Sequence, residues 1–332
     1  MGRRGKPMVR IRAAFTLAAL AALMTPAAAQ GWPSRPVTMV VPFAAGGAFD
    51  VLGRIVAAQM GAIFGQTVIV ENTTGAGGIV GVTRVISAKP DGYTFLLGTV
   101  GTHAYNQTIY KKRRYDAIND LAPVALFSEQ PMVLEVRKDL PANTFSEFAE
   151  LLKRNGANMQ YGSAGSGSTT HLACALLNAR MAVEATHVPY RGLAPAMTDL
   201  IGGRIDYVCG NLGGATPYIN SKQVKALALL SKVRSPMMPD LPTAHELGLA
   251  DYDVTTWAAF FVPKGTPKEI VSKLNEVTHA AMDTPAIKAG LVEIGVTGVA
   301  PERRSPEYLA SYVAEEIARW EGPIKSGGLQ VD

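Results

Sequence analysis

Two stretches of this 332-residue chain combine glycines, small side chains and a helix start in the way an anion site requires. The first is VTMVVPFAAGGAFD, from Val37 to Asp50, in which Gly46 and Gly47 precede an apolar series at helical spacing: Val51, Leu52, Ile55, Val56 and Met60. The first amides of a helix have no intrahelical acceptor, and the positive end of the macrodipole lies beside them, so a carboxylate or phosphate is stabilised there. The second stretch is YGSAGSGSTTHL, Tyr161 to Leu172, where Gly165 and Gly167 allow a tight turn and Ser168 or Thr169 can cap the helix that follows. Taken alone, each is no more than a glycine turn leading into a helix. Facing each other across a cleft, the two would hold a small acid. About 3 to 4 charge-assisted hydrogen bonds, each worth roughly 1.5–3 kcal/mol, give micromolar binding after ordering costs, with no arginine required.

Other chemistries are poorly served. Ser168 and His171 could pair as nucleophile and base, but they sit one turn apart on one helix with no carboxylate nearby to orient the imidazole, and the chain has no G-x-S-x-G elbow. His171 is better read as packing behind the ligand loop. The remaining histidines, His103, His187, His245 and His279, have no partners at metal-ligand spacing, so no metal is expected. Gly75-x-Gly77-x-x-x-Gly81 is a loose dinucleotide fingerprint that follows the second strand, and no acid ends the next strand to hold a ribose; no cofactor is expected. Asp50 reads as a first-turn acid that complements the helix dipole and pins the loop amides.

These residues need a frame that brings two distant turns together. Val37–Val41, Thr67–Glu71 and Tyr93–Leu97 read as strands, with helices after the first and second, which predicts parallel pairing and a row of glycine turns along the carboxyl edge of a sheet. Val124–Phe127 and Met132–Val136 form two apolar runs. Thr144 then caps a helix from Phe145, with Glu147 at capping-box spacing. Strand and helix alternate again from Met159 to Leu230, with Gly210–Gly214 read as a glycine-rich turn. The terminal region, Trp257–Val262 followed by three helices, has too few strands for a third sheet and is expected to return to the first. The chain would cross between two lobes near Met132 and near Thr255, and two crossings make a hinge.

Composition narrows the setting. Arg3, Arg4, Lys6, Arg10 and Arg12, an apolar run from Ala13 to Met24, and Ala27-Ala28-Ala29 make a secretory leader over residues 1–29. The apolar run is too short to span a bilayer. The leader carries five of the 32 basic residues, so 27 basic face 27 acidic residues in the mature chain, and the formal charge of +5 is no argument for nucleic acid. Lys111-Lys112-Arg113-Arg114 is read as a solvated loop. Cys174 and Cys209 could bond in an oxidising compartment, or both could be buried thiols. Roughly 300 mature residues exceed what one core organises, which favours two domains.

The motifs VPFAAGGAFD, IVENTTGAGG (Ile69–Gly78), KPDGYTFLLGT (Lys89–Thr99), LAPVAL (Leu121–Leu126), YGSAGSGSTTHL, HVPYRGLAPAMTDLIGGRIDY (His187–Tyr207), PDLPTAHELGL (Pro239–Leu249) and PKGTPKEIVSKLN (Pro263–Asn275) stand in order along the whole mature chain. This resembles the Bug (TctC-like) periplasmic solute-binding proteins of tripartite tricarboxylate transporters. The resemblance implies an α/β fold of the two-lobed type II periplasmic-binding architecture, with residues 30–132 plus 256–332 in one domain and 133–255 in the other. It implies a monomer in the periplasm that binds a small carboxylate and presents it to membrane permease subunits, with no nucleic-acid partner. It places a first ligand loop at Phe43, Ala44, Gly46, Gly47, Ala48 and Phe49 with Asp50, and a second from Ser163 through Ser166, Ser168 and Thr169 to Thr170, ahead of His171. Thr99, Gly210 and Asn211 would line the cleft, and Tyr190 would be a wall. Three departures stand out: Ala48-Phe49 replaces Pro-Thr, Gly210 replaces an acidic residue, and Thr73-Thr74 replaces Arg-Pro. Phe49 would bias the site toward an aromatic or apolar-bodied acid. The competing readings are a secreted Ser/His hydrolase and an orphan sensor component with the same binding site.

Overall fold

The computed structural model describes Met1 and residues 31–330. The leader read over residues 1–29 lies, Met1 apart, outside the described residues. Strand β1 (Val37–Val41) pairs in parallel with β2 (Val68–Asn72) on one side and β3 (Thr94–Thr99) on the other. β1 and β3 are mostly buried, whereas β2 is buried only at Val68; β1 and β2 each run into a glycine-bearing connection that starts a helix. Helix α1 (Ala48–Phe64) follows β1 and α2 (Ile79–Ile86) follows β2, while after β3 a π-helical turn, Gly101–Tyr105, runs into α3 (Asn106–Ile109). The glycine turns therefore collect along the carboxyl edge, as the strand–helix alternation predicts.

Strand β4 (Leu121–Arg137) is a single 17-residue strand, where the sequence suggested two separate apolar runs. The intervening polar residues stay in the ladder because Glu129 and Gln130 find partners in Trp257 and Thr256. Pro131 has no amide to offer, and it sits where β4 changes neighbours. Up to Pro131↔Thr255 the strand pairs with β9 (Thr255–Pro263); from Met132↔Asn211 onward it pairs with β7 (Tyr207–Asn211). The handover falls between Pro131 and Met132 on β4, opposite Thr255, where β9 begins.

Beyond it the second half of the chain builds its own parallel group, in which β5 (Gln160–Ser163) lies between β6 (Thr186–Pro189) and β7, and β8 (Val224–Leu229) pairs with β4. Its helices are α4 (Phe145–Asn155), α5 (Thr169–Arg180), α6 (Leu193–Ile201) and α7 (Leu212–Asn220). The Thr144–Glu147 capping box is formed, and Ser168 caps α5. Helix α7 replaces the turn read at Gly210–Gly214. Gly213 and Gly214 stand in its first turn because other chain segments approach there: a methyl group on Gly213 would overlap the Ile294 carbonyl, and one on Gly214 would lie 2.9 Å from the Ala48 Cβ. Glycine here serves close packing, which in sequence looks the same as a turn.

The C-terminal elements return to the first half of the sheet. Helix α8 (Lys268–Asp283) packs beside α1, then come α9 (Pro285–Glu293) and β10 (Thr297–Gly298), which pairs with Glu129 and Ser128, and α10 (Pro306–Ser326) lies against β4 and the 101–105 turn. Aromatic side chains fill this half: Phe260 stacks on Phe127 at 4.4 Å and meets Phe95 edge-on at 5.1 Å. Each such ring, fully buried, contributes about 1.5–3 kcal/mol. Cys174 of α5 and Cys209 of β7 form a disulfide, which resolves the choice left open by the sequence. Among the described residues no helix is long and apolar enough to cross a membrane. The architecture is α/β and two-lobed, with β4 running from one half into the other and β9 beginning at the handover.

Candidate functional site

The start of α1 is built to leave amides free. Gly47 at its N-cap has extended dihedrals and supplies no capping side chain, so the amides of Ala48 and Phe49 have no intrahelical acceptor. Asp50, 3% exposed, is turned away from that opening and secures the loop instead. Its Oδ2 accepts from the Gly46 amide (2.9 Å) and Arg54 Nε (3.0 Å), its Oδ1 accepts from Asn72 Nδ2 (2.9 Å), and Asn72 also donates to the Phe43 carbonyl. Burial by itself raises the Asp50 pKa, but the hydrogen bonds from Arg54, Gly46 and Asn72 outweigh it and hold the carboxyl below the usual carboxylate value. Asp50 is thus an anionic anchor of the loop, as the first-turn reading had it.

The start of α5 is capped more fully. Ser168 Oγ accepts the His171 amide (3.3 Å), Thr170 Oγ1 accepts the Ala164 amide (2.8 Å), and Ser163 Oγ accepts the Gly165 amide (3.1 Å). Behind the loop, His171 and His187 stack with ring centroids 4.1 Å apart. Nδ1 of His171 accepts the Gly167 amide, and Nε2 of His187 bonds Ser163 Oγ at 2.6 Å. Desolvation lowers both pKa values, to about 3 for His171, where His187 adds repulsion, and to about 4 for His187. Both imidazoles are neutral supports. Ser168 and His171 do meet, but through the histidine's backbone amide, with its Nδ1 already accepting from Gly167; this is a capping arrangement and not a nucleophile–base pair.

The two helix starts share one cavity. Phe43, Gly47, Ala48 and Phe49 line it from one lobe; Ala164, Ser168, Thr169 and Thr170 line it from the other, with Leu193 and Asn211 completing it. The Phe43 and Phe49 rings stack at 5.5 Å and give the first lobe an apolar wall. Two polar atoms on the opposite side have no hydrogen-bond partner among the described residues: Thr169 Oγ1 and Asn211 Nδ2, on residues each 2% exposed. A buried polar atom without a partner costs about 1–3 kcal/mol, so native chains rarely keep two in one small space without a use.

The cavity shared by the two helix starts is small, about 20 Å³, room for roughly one water molecule, and the chain segments beside it are in direct contact. Tyr110 donates to the Ser166 carbonyl at 2.9 Å. A methyl group on Gly77 would overlap that same carbonyl, and one on Gly101 would lie 2.9 Å from the Thr169 amide. These two glycines of the first half thus let its backbone meet the backbone of the second half along the seam.

The other residues singled out from sequence fall around this centre. Ala44 abuts Gly192 across the seam, and Gly46 is bonded to Asp50. Thr99 is fully buried and tied to Thr102, and Ser163 lies under the loop. Ser166 forms the seam. Tyr190 donates to Asp199 at 2.7 Å, and Gly210 backs onto Glu135. Leu193 lines the cavity without any sequence signal, because it is an ordinary apolar first-turn residue until α6 is placed. The seam contacts at Gly77 and Gly192 were equally hidden among thirty-three glycines. Among the described residues, no group of three or more His, Cys, Asp or Glu is placed to hold a metal ion.

Residues 52–329 match the family described as the tripartite tricarboxylate transporter family receptor. The chain is similar to the periplasmic binding protein BugD, with a TM-score of 0.87 at 37% identity over 90% of this chain and 99% of BugD. It is similar to MatC from Rhodopseudomonas palustris with bound malate (TM-score 0.86, 40% identity, 88% of this chain and 100% of MatC). It also resembles an R. palustris protein with adipate (TM-score 0.85, 36% identity, 90% of this chain and 98% of that protein). With the match running nearly the length of the chain and the fold shared throughout, this protein belongs to the tripartite tricarboxylate transporter receptor family, whose members are periplasmic solute-binding proteins and not enzymes.

Proposed function

We propose that this protein captures a small carboxylate between its lobes and presents it to the membrane permease subunits of a tripartite tricarboxylate transporter. The observation that carries the reading is the pair of unpartnered buried atoms, Thr169 Oγ1 and Asn211 Nδ2, in the cavity that the α1 amides also reach. An oxygen pair on the solute would accept from the threonine hydroxyl, the asparagine NH₂ and the amides of Ala48 and Phe49, while the solute's body rests on Phe43 and Phe49. Two similar proteins that hold malate and adipate support a carboxylate as the ligand class. The Phe43–Phe49 wall favours an aromatic or apolar-bodied acid over a polar C4 acid. Entry requires the lobes to part about the β4–β9 handover near Met132 and Thr255, with residues 36–132 and 256–330 moving as one body and 133–255 as the other.

A thermal-shift screen over carboxylates, followed by titration calorimetry, tests this directly, because a ligand that binds only the folded state raises the melting temperature. For the best ligand, Thr169→Val and Asn211→Leu should each weaken binding roughly 10- to 150-fold, the equivalent of one hydrogen bond to a charged group, about 1.5–3 kcal/mol. Unchanged affinity in both variants would sink the site; tighter binding of a polar C4 acid than of terephthalate-like acids would sink the bias toward aromatic bodies.

A further inference from the structure

Along β4 the side chains alternate between two cores. Met132, Leu134 and Val136 belong to the large core shared with Phe145 and Leu172, whereas Val133 packs with Leu212 and Ala215 of α7. Glu135 shares the face of Val133. It is fully buried, and neither carboxyl oxygen has a hydrogen-bond partner among the described residues. The position of the carboxyl is specific. A methyl group on Gly210 would overlap Glu135 Oε1, and the same point lies 3.7 Å from Leu193 Cδ2, so the acid fills the space that a side chain at 210 would take. Leu193 and the next residue, Asn211, both line the cavity. Glu135 therefore lies directly behind Gly210, one residue along β7 from the cavity lining at Asn211.

The groups around it offer no compensation. The β7 and β8 residues in register with it are Val208 and Ala226, and α6 and α7 present Leu193, Leu212 and Ala215. Burial alone raises its pKa well above the usual carboxylate value, with no neighbouring charge opposing it. A buried acid with two oxygens lacking partners among the described residues weakens the fold, and such groups persist where they serve a site.

We propose that Glu135 is a specificity-determining residue of the cleft, whose carboxyl accepts a hydrogen bond from a donor on the solute, a hydroxyl or an ammonium group, placed away from the carboxylate held at Thr169 and Asn211. This rests on the carboxylate-binding reading of the cavity and adds the solute's second polar group. A hydroxyl leaves the acid protonated. An ammonium group displaces its proton to solvent, so that binding tightens as pH rises.

The test uses the mature protein and matched sets of carboxylates on aliphatic and benzoate frames, each set comprising a donor-free acid, its hydroxy derivative and its amino derivative. In at least one set a donor-bearing member should bind about tenfold or more tightly than the donor-free acid. Glu135→Met, similar in length but without hydrogen-bonding atoms, should abolish that preference and raise the melting temperature of the unliganded protein. Glu135→Gln keeps an acceptor and should retain most of the preference. Equal binding of donor-free and donor-bearing acids by the wild-type protein would overturn the proposal, as would a preference that survives Glu135→Met. A fall in unliganded melting temperature with the preference intact would mark Glu135 as structural and overturn it too. Should no carboxylate bind the wild-type protein, the cleft reading itself fails and this proposal falls with it; donor-free binding without discrimination leaves the cleft reading standing and removes only Glu135.

Discussion

Closure of the two lobes can be probed at one residue that contributes nothing else. Gly192 sits at the N-cap of α6 with φ 169° and ψ 172°, an extended conformation that alanine adopts freely. The three atoms nearest to a methyl group there all belong to Ala44 in the first half of the chain, with the Ala44 Cβ and amide nitrogen both at 2.7 Å. Carbon contacts settle at about 3.5–4.0 Å, so Gly192→Ala forces the closed lobes apart by roughly 1 Å or strains them, at a cost of about 1–3 kcal/mol. If the lobes hinge, the open form escapes that cost and only the closed, ligand-bound form bears it. The dissociation constant then rises about 5- to 150-fold while the unliganded melting temperature stays within a degree or two. If the seam is instead a fixed part of the fold, the same 1–3 kcal/mol appears as lost stability, a drop of about 2–4 °C per kcal/mol. Calorimetry for affinity and denaturation without ligand separate the two. Affinity within twofold of wild type, or a fall in melting temperature that accounts for the whole effect, would refute the hinge argument.

Two further outcomes follow from the supports of the second loop. The Cys174–Cys209 bridge closes a loop of 35 residues, worth about 3–4 kcal/mol by chain entropy, so the double alanine variant should lose that order of stability in urea unfolding; a loss under 1 kcal/mol would contradict it. His103, His171 and His187 are held neutral in the fold, with pKa values of about 3, 3 and 4 caused by desolvation, whereas in the unfolded chain they titrate near 6.5. Their contribution is therefore complete above about pH 6.5 and is lost as pH falls toward 4, at up to about 1.4 kcal/mol per pH unit for each. Glu135 acts in the opposite sense above its unfolded value of 4.5, because burial disfavours its ionisation in the fold. Urea midpoints between pH 4.5 and 7.5 should accordingly fall with acid in the wild-type protein and fall less in a His171→Gln/His187→Gln variant. Parallel pH profiles for the two would show that these imidazoles are not held neutral by the fold.

What the sequence by itself determined is local. A glycine turn before an apolar helical series set the free amides at Ala48 and Phe49; Ser168 and Thr169 were both readable as the cap on α5, of which the structure uses Ser168; Thr144 and Glu147 set the box on α4. These are contacts within a few residues, for which spacing and residue type suffice. The shared motifs along the chain carried the family and the two-lobed frame as well. The tertiary structure alone decided which distant atoms meet. It joined β4 into one strand, turned Gly213 and Gly214 into the start of a helix, brought Leu193 to the cavity and Ala44 against Gly192, bonded the two cysteines, and set Glu135 beneath Gly210. Such approaches depend on how two separately formed halves pack, and a glycine that allows backbone contact across a seam has the same one-letter code as a glycine that merely turns.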